Sequence, residues 1–187
     1  MAFSPTSRSQ YLLNQVALSN TIRKLWVDNN QWTRALIHNV MLDQSGQDEL
    51  VKRVEQNAQD FATIYEQFYG KDSADQIKRL INNDLEGTLR LIRAYKDDDP
   101  QAIRSAREAL YANANELARF LAGINRYWDM ATLQTMLYEI VNLREYETML
   151  IRDKEFAKSI QQHDELMDQG YRLADEITYG ILKQFQI

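Results

Sequence analysis

A chain of 187 residues, 44% hydrophobic and 26% charged, has the composition of a folded globular protein, and six glycines with two prolines provide too few turn residues for an all-β protein. The net charge of −5, without a basic block, disfavours nucleic-acid binding, and no apolar run approaches the roughly 18–20 residues of a membrane span. Cysteine is absent, which excludes disulfides and thiolate chemistry. The start of the chain lacks the apolar region of a secretory signal, so we expect a cytoplasmic protein.

Apolar residues recur at alternating spacings of three and four along the chain, which predicts six helices. Residues 1–18 form either the first turns of helix one or a loose arm before it. We expect Gly70 to end helix two and the run DDDP at residues 97–100 to separate helices three and four. The predicted helices span about residues 9–41, 47–69, 73–96, 100–124, 129–152 and 155 onward.

Short links between long amphipathic helices favour antiparallel neighbours. No segment shows sustained two-residue alternation, so no sheet is expected. The sequence therefore predicts an all-α, antiparallel up-and-down helical bundle that is at least two-thirds helical, with residues 1–187 forming a single domain.

An internal repeat links the middle helices. The stretch VEQNAQDFATI at residues 54–64 is matched 56 residues later by LYANANELARF at residues 110–120. The match predicts a duplicated helical hairpin, with repeat units of about 47–97 and 100–153. We expect Asn57 and Asn113 to be buried and related by a pseudo-twofold axis, with Asp60 and Glu116 accepting hydrogen bonds nearby.

Each predicted helix carries a stripe of apolar residues along one face. Five of these six stripes contain one polar residue, at a similar distance from the turns between the helices. Each lies about ten to thirteen residues from a turn, or roughly 15–20 Å along a helix, so the five side chains are predicted to share one level of the core. Helix five has Ile140 at this place, and in helix six the polar residue lies between Ile160 and Met167. The five residues are Asn29, Asn57, Asp84, Asn113 and His163.

Burying such groups unpaired costs about 1–3 kcal/mol each, so they must bond to one another, to water or to a ligand. The layer is therefore either a network that fixes helix register or a pocket for a small ligand or metal. If Asp84 faces His163, the two form an ion pair or half of a metal site, which Asn29 completes.

Two further residues near this level are candidates for the site. Trp32 is either a core anchor or a platform for a ligand. Arg34 is either a surface residue or a partner for Asp60 or Glu116. Gly87 and Gly180 lie inside predicted helices, which indicates close helix approach or room for a ligand.

Several types of site are absent from the sequence. No Glu-x-x-His motif occurs, which removes the usual di-iron signature of helical bundles. The two histidines, His38 and His163, cannot form a histidine-rich metal centre, and we interpret His38 as a residue on the flank of its helix. The chain also contains no glycine-rich phosphate loop and no nucleophile elbow.

A set of short motifs resembles a family of uncharacterised bacterial helical-bundle proteins, common in Gram-positive bacteria, over residues 25–185. Family members often carry the automatic name acetylglutamate kinase, but amino-acid kinases are α/β proteins with glycine-rich phosphate loops, and this chain has neither feature. The resemblance implies a helical bundle and no established activity. The motifs are Leu25-Trp26, Trp32-Thr33-Arg34, Phe68-Tyr69-Gly70, Asn113-Ala114 with Glu116, and Gly180-Ile181 with Gln184-Phe185.

The resemblance also concerns the polar layer. Family members often have histidine where this chain has Asn29, Asp84 and Ile140, which implies a metal or cofactor site in the family. Because this chain differs at all three positions, the resemblance implies that the site here is altered or lost.

We expect a non-enzymatic binding protein, monomeric or homodimeric, that holds a small molecule or a weakly bound metal at the polar layer. The alternatives are an enzyme that uses Asp84 and His163 as acid and base, and a purely structural or interaction module. A closed, polar-lined cavity would favour binding, whereas an exposed apolar face on helix one would favour an interaction module. No cofactor, catalytic residue, nucleic-acid partner or membrane partner is assigned. The candidate ligand-binding residues are Asn29, Trp32, Arg34, Asn57, Asp84, Asn113 and His163.

Overall fold

The structure of the protein, a computed structural model, describes the backbone of residues 5–187 and the side chains from Gln10 onward. This part of the chain contains six helices and no strand, which confirms the predicted all-α class and a helical share above two-thirds. The helices are α1 (Pro5–Met41), α2 (Gln47–Tyr69), α3 (Lys71–Lys96), α4 (Pro100–Ile124), α5 (Met130–Arg152) and α6 (Phe156–Phe185).

The helix boundaries follow the turn residues. Gly70, with a φ of 79°, is the single residue between α2 and α3. The carboxylate of Asp99 accepts hydrogen bonds from the backbone amides of the two residues after Pro100, which occupies the first position of α4. Asp129 caps α5 in the same way, accepting from the amide three residues on at 2.8 Å.

The start of α1 differs from the prediction. The helix begins at Pro5 rather than near residue 9, so residues 5–18 are helical and not a loose arm. Residues 1–4 of the proposed arm lie outside the described residues. None of the described helices contains an apolar stretch long enough to cross a membrane.

Each helix packs against its neighbours in sequence, and α6 closes the bundle against α1. The odd-numbered helices α1, α3 and α5 also contact one another, so they share the interior of the bundle. Neighbouring helices run antiparallel: Arg23 on α1 binds Asp175 on α6, whereas Arg34, further along α1, reaches Ser159, earlier on α6. The polar contacts of α3 with α4 and of α5 with α6 show the same opposite order.

A polar layer divides the apolar core into two clusters. Along α1, Ile22 and Leu25 belong to a large cluster, Leu36 and Val40 to a small one, and the buried Asn29 lies between them. The same order recurs on other helices, with Asn57 of α2 between Val54 and Phe61, and Arg144 of α5 between Ile140 and Ile151. The layer therefore separates the two clusters along α1, α2 and α5.

Close contacts explain two glycines inside helices. A Cβ atom at Gly87 of α3 would lie 2.8 Å from Leu110 of α4, so the predicted close approach of helices is confirmed there. A Cβ atom at Gly180 of α6 would lie 1.9 Å from Nε1 of Trp128, so at this position the close neighbour is a side chain of the link between α4 and α5.

The predicted apolar stripe of α6, which begins with Phe156 and Ile160 and contains His163, is wrong at its first two residues. Ile160 and Phe156 are 57% and 43% exposed, and Ser159 is buried instead because it faces α1 and α5. His163 is buried, as its place on the stripe predicts.

Candidate functional site

The centre of the polar layer is the guanidinium of Arg144, which is 3% exposed. Nη1 of Arg144 donates to Oδ2 of Asp84 at 2.6 Å and to Oγ1 of Thr88 at 3.3 Å. Nη2 donates to Oδ1 of Asn29 at 3.1 Å and of Asn30 at 3.4 Å. Arg144 thereby joins α1, α3 and α5 at their shared interior.

The asparagines extend this network to α2. Nδ2 of Asn29 donates to Oδ1 of Asn57 at 3.2 Å, and Nδ2 of Asn57 donates to the carbonyl of Leu25 at 3.1 Å. Asn113 makes the corresponding bond, from its Nδ2 to the carbonyl of Leu80 at 3.0 Å. Each amide thus bonds to the backbone of the preceding helix. Both asparagines are buried, as predicted, while the duplication itself stays a prediction.

Asp60 and Glu116 accept hydrogen bonds near these asparagines, as predicted, but not from the asparagines themselves. Asp60 accepts a hydrogen bond from Gln56 on its own helix, and Glu116 forms an ion pair with Arg79 at the surface. Neither carboxylate bonds to the neighbouring asparagine, because both lie on the outer side of their helices, where water and exposed bases reach them. The predicted pairing of Arg34 with one of these acids is wrong for the same reason.

Arg34 instead forms an ion pair with Glu147 of α5, which is completely buried. Nη1 of Arg34 also donates to the carbonyl of Ser159 at 3.1 Å. Nδ1 of His163 lies 3.0 Å from Oε1 of Glu147, although the angles do not suit a directed hydrogen bond. We call these three residues, Arg34, Glu147 and His163, the Arg34 cluster. The cluster therefore joins α1, α5 and α6.

Asp84 and His163 do not pair with each other. Asp84 is bound by Arg144, and His163 lies against Glu147, so each has a different partner on α5. Arg144 and Glu147 were not among the predicted site residues, although both occupy the buried face of α5. The expected Asp84–His163 ion pair, or half of a metal site, is wrong because these two charged residues intervene.

The remaining candidate, Trp32, lies outside both networks. Its ring is partly buried and is covered by the guanidinium of Arg53, 5.0 Å from the ring centroid. Nη2 of Arg53 donates in turn to Asp28 at 2.9 Å. Trp32 thus forms part of a cation–π contact at the α1–α2 surface.

His38 lies beside the Arg34 cluster. Its ring stacks on Phe156, with ring centroids 6.4 Å apart. Burial lowers the pKa of His38, and the positive charge of Arg34 lowers it further, while the charge of Glu147 opposes these effects. His38 was interpreted from the sequence as a helix-flank residue, yet it is electrostatically part of this region.

Three polar atoms of the Arg34 cluster have no hydrogen-bonding partner among the described residues. They are Oε2 of Glu147 and both ring nitrogens of His163, and all three are buried. A buried acceptor without a partner costs about 1–3 kcal/mol. Because Oε1 of Glu147 and Nδ1 of His163 are 3.0 Å apart, the unpaired atoms belong to one contact between α5 and α6.

The residue types of a hydrolytic triad occur here without its geometry. Ser159, His163 and Glu147 are neighbours, but Oγ of Ser159 donates to the carbonyl of Phe156 at 2.9 Å and makes no bond to the imidazole. Within the described residues, no group of three or more His, Cys, Asp or Glu side chains could hold a metal ion.

Comparison of the chain with models of protein families, with curated proteins and with solved structures finds no match.

Proposed function

We propose that the protein is a non-enzymatic, cytoplasmic binding protein that holds a small neutral molecule at the Arg34 cluster. The observation that carries this proposal is the set of three buried atoms without a hydrogen-bonding partner, Oε2 of Glu147 and both ring nitrogens of His163. The Arg144 network offers less to a ligand, because it has one such atom, Nε of Arg144, while Asp84, Asn29 and Thr88 hold the two terminal nitrogens.

Charge determines the class of ligand. The guanidinium of Arg34 neutralises the carboxylate of Glu147, so neither a simple anion nor a metal cation gains a net opposite charge at this cluster. The free carboxylate oxygen requires a donor, and the free imidazole nitrogen accepts or donates according to its tautomer. A small molecule with hydroxyl or amide groups satisfies both atoms.

The cluster also lies close to the surface. The side chains of Arg34 and His163 are 16% and 11% exposed. The exposed side chains of Ile160 and Phe156 lie about one and two turns before His163 on α6, and they supply apolar surface for the carbon skeleton of a ligand.

The proposal is tested by native mass spectrometry of the purified protein with elemental analysis. We expect wild type and Asp84→Asn to retain an added small-molecule mass without metal, and both Glu147→Gln and His163→Phe to lose it. Asp84→Asn is the matched control, because it makes a similar change in the other polar network, where Arg144 binds the carboxylate. A wild-type mass equal to that of the chain alone, or a mass retained by Glu147→Gln and His163→Phe, would contradict the proposal.

A second candidate function is that of an interaction module. It is favoured by the exposed apolar residues near the start of α1, where Leu12, Leu13 and Val16 are 53%, 59% and 57% exposed. An interaction surface at this end is compatible with a ligand at the Arg34 cluster, because Gln15 and Arg34 are separated by nineteen residues, or about 28 Å of helix.

A further inference from the structure

One hydrogen bond recurs in the three helical hairpins α1–α2, α3–α4 and α5–α6. In each hairpin, a side-chain amide of the second helix donates to a backbone carbonyl of the first, at 3.1, 3.0 and 3.3 Å. The bonds run from Asn57 to Leu25, from Asn113 to Leu80 and from Gln169 to Met136. The donor follows the acceptor by 32, 33 and 33 residues, so the bond occupies the same place in each hairpin.

The links inside the three hairpins share one backbone conformation. Each link has a residue with a positive φ, of 54° at Asp43, 51° at Asp98 and 59° at Lys154. Each of these residues lies 18 positions after the carbonyl that accepts the recurring bond. The next backbone amide donates to the carbonyl five positions earlier, at 2.9, 3.0 and 2.8 Å. Because a positive φ is uncommon outside glycine, the three links match in an unusual feature.

The sequence around the amide donors also recurs. The stretches VEQNAQDFA at residues 54–62 and LYANANELA at residues 110–118 are followed by LMDQGYRLA at residues 166–174. In each stretch, buried apolar residues lie three positions before and four positions after the donor, with alanine or glycine directly after it. The pattern that relates Asn57 to Asn113 thus extends to Gln169 of α6.

Three such hairpins meet at three corresponding junctions, and the Arg34 cluster occupies one of them. Glu147 and His163 belong to the hairpin α5–α6, and Arg34 belongs to α1, the first helix of the next hairpin around the bundle. The corresponding junction of α1, α2 and α3 is apolar, and its side chains lie together in the small apolar cluster. At the same distances from the bonded carbonyls and amide, its residues are Leu36, Val51 and Leu89, respectively.

The junction of α3, α4 and α5 is intermediate between these two. Arg107 and Glu145, which correspond to His163 and Arg34, form an ion pair whose arginine is 44% exposed. The remaining position is Leu91, which is buried like the leucine of the apolar junction. Among the three junctions, a buried carboxylate in place of this leucine therefore belongs to the Arg34 cluster alone.

Leucine is the residue that favours folding at this position. Leu36 and Leu91 are as completely buried as Glu147, so the fold accommodates an apolar side chain there. Replacing a buried ion pair by well-packed apolar residues is often neutral or stabilising, because burying the charges costs desolvation energy. The carboxylate also leaves its own Oε2 and both ring nitrogens of His163 unpaired. Stability therefore does not explain the Arg34 cluster.

We infer that the chain consists of three copies of one helical hairpin, and that Glu147 is a functional residue which the third copy has in place of a core leucine. The repeating unit is an odd-numbered helix with the even-numbered helix after it, so the duplication expected over residues 47–97 and 100–153 is part of a longer repeat. Arg34 is present because it neutralises the buried carboxylate.

Glu147 also determines which group a ligand presents. Its ion pair with Arg34 keeps the carboxylate ionised, so Oε2 accepts hydrogen bonds and cannot donate them. The ligand therefore belongs to the molecules that offer an N–H or O–H group to this oxygen. The role of Glu147 in binding rests on the function proposed above, whereas the three-fold repeat does not.

The test returns the Arg34 cluster to the residues of the apolar junction, in the variant Arg34→Leu/Glu147→Leu/His163→Val. We expect this triple variant to reach half-unfolding at the same urea concentration as wild type or at a higher one. Glu147→Leu alone should lower that concentration by about 1 M or more, because Arg34 and His163 then lose their buried partner. In native mass spectrometry, the triple variant should lose the added mass that wild type retains.

Arg107→Val/Glu145→Leu is the matched control, because it makes the same kind of replacement at the junction of α3, α4 and α5 and should retain the added mass. A triple variant that unfolds at lower urea than wild type would show that folding requires the cluster and would overturn the inference. Retention of the mass by the triple variant would overturn it as well. A wild type without an added mass contradicts the proposed binding function alone, since the urea midpoints still decide whether folding requires the cluster.

Discussion

Nη1 of Arg144 lies 2.6 Å from Oδ2 of Asp84, and this ion pair joins α5 to α3 in the interior of the bundle. The two helices are not neighbours in sequence, and the same guanidinium reaches Asn29 of α1. A buried arginine with several fixed acceptors allows only one axial alignment of these helices, because a shift of one turn would separate it from all of them. The pair therefore favours a unique register between the two apolar clusters.

The first prediction concerns this pair. Replacing Arg144 by Met should lower the free energy of unfolding by about 3 kcal/mol, near the lower end of the usual cost of breaking a buried pair. The lower end applies because the Asp84 side chain is 22% exposed, so water reaches the carboxylate left behind. Urea denaturation followed by circular dichroism measures the change.

Arg79→Met provides the control for this prediction. Arg79 pairs with Glu116 between α3 and α4, but both side chains are more than 40% exposed. Loss of an exposed pair should cost less than about 1 kcal/mol. Equal effects of Arg79→Met and Arg144→Met would show that burial does not distinguish the two pairs.

The second prediction compares the two asparagines of the repeat. Asn57→Leu removes bonds to both Asn29 and the carbonyl of Leu25, whereas Asn113→Leu removes one bond, to the carbonyl of Leu80. We expect Asn57→Leu to destabilise the protein by about 1–3 kcal/mol and Asn113→Leu by less. Thermal and urea unfolding of both variants test the order, and stabilisation by both would exclude a structural role for these amides.

The helices could be predicted from the sequence because their apolar spacing and turn residues are local signals. The run DDDP and Gly70 set boundaries that the structure retains. The polar residues of α1, α2 and α3 could also be predicted from the sequence, because Asn29, Asn57 and Asp84 interrupt otherwise apolar stripes. A single polar residue in each of these stripes was enough to locate the polar layer along the helix.

The partners in the layer could not be predicted, and α5 shows why. This helix contacts α1, α3, α4 and α6, so its buried surface extends well beyond one stripe. The stripe drawn from the sequence ran through Ile140 and missed Arg144 and Glu147, both of which are buried. An arginine and a glutamate read as surface residues unless their buried partners on other helices are known. Pairing between distant helices therefore had to come from the structure.

The third prediction concerns the contact of α6 with Trp128. Gly180→Ala should destabilise the protein by about 1–3 kcal/mol, because the added methyl group overlaps the indole ring that bonds to the carbonyl of Glu176 at 3.2 Å. Gly123→Ala is the matched control, since no atom lies within 4 Å of its added Cβ. This second substitution should be neutral or stabilise helix α4, by up to about 1 kcal/mol. In thermal melts, the midpoint temperatures of the two variants should shift in opposite directions, or the shift for Gly180→Ala should be clearly larger than the shift for Gly123→Ala.

The last prediction concerns pH. Burial and the charge of Arg34 lower the pKa of His38 in the folded protein, while the unfolded chain keeps a value near about 6.5. Between the folded value and about 6.5 the unfolded chain binds more protons, so acidification favours unfolding in that range. The contribution of His38 to stability is therefore complete above about pH 6.5 and is lost as the pH falls through the folded pKa.

Urea denaturation of wild type and His38→Gln at several values between about pH 5 and 8 measures this effect. Glutamine keeps a polar side chain of similar size beside Phe156 but does not titrate. We expect the free energy of unfolding of wild type to fall more steeply below about pH 6.5 than that of His38→Gln, with the two slopes alike above this value. An unchanged slope in His38→Gln would show that His38 is not the source of the pH dependence.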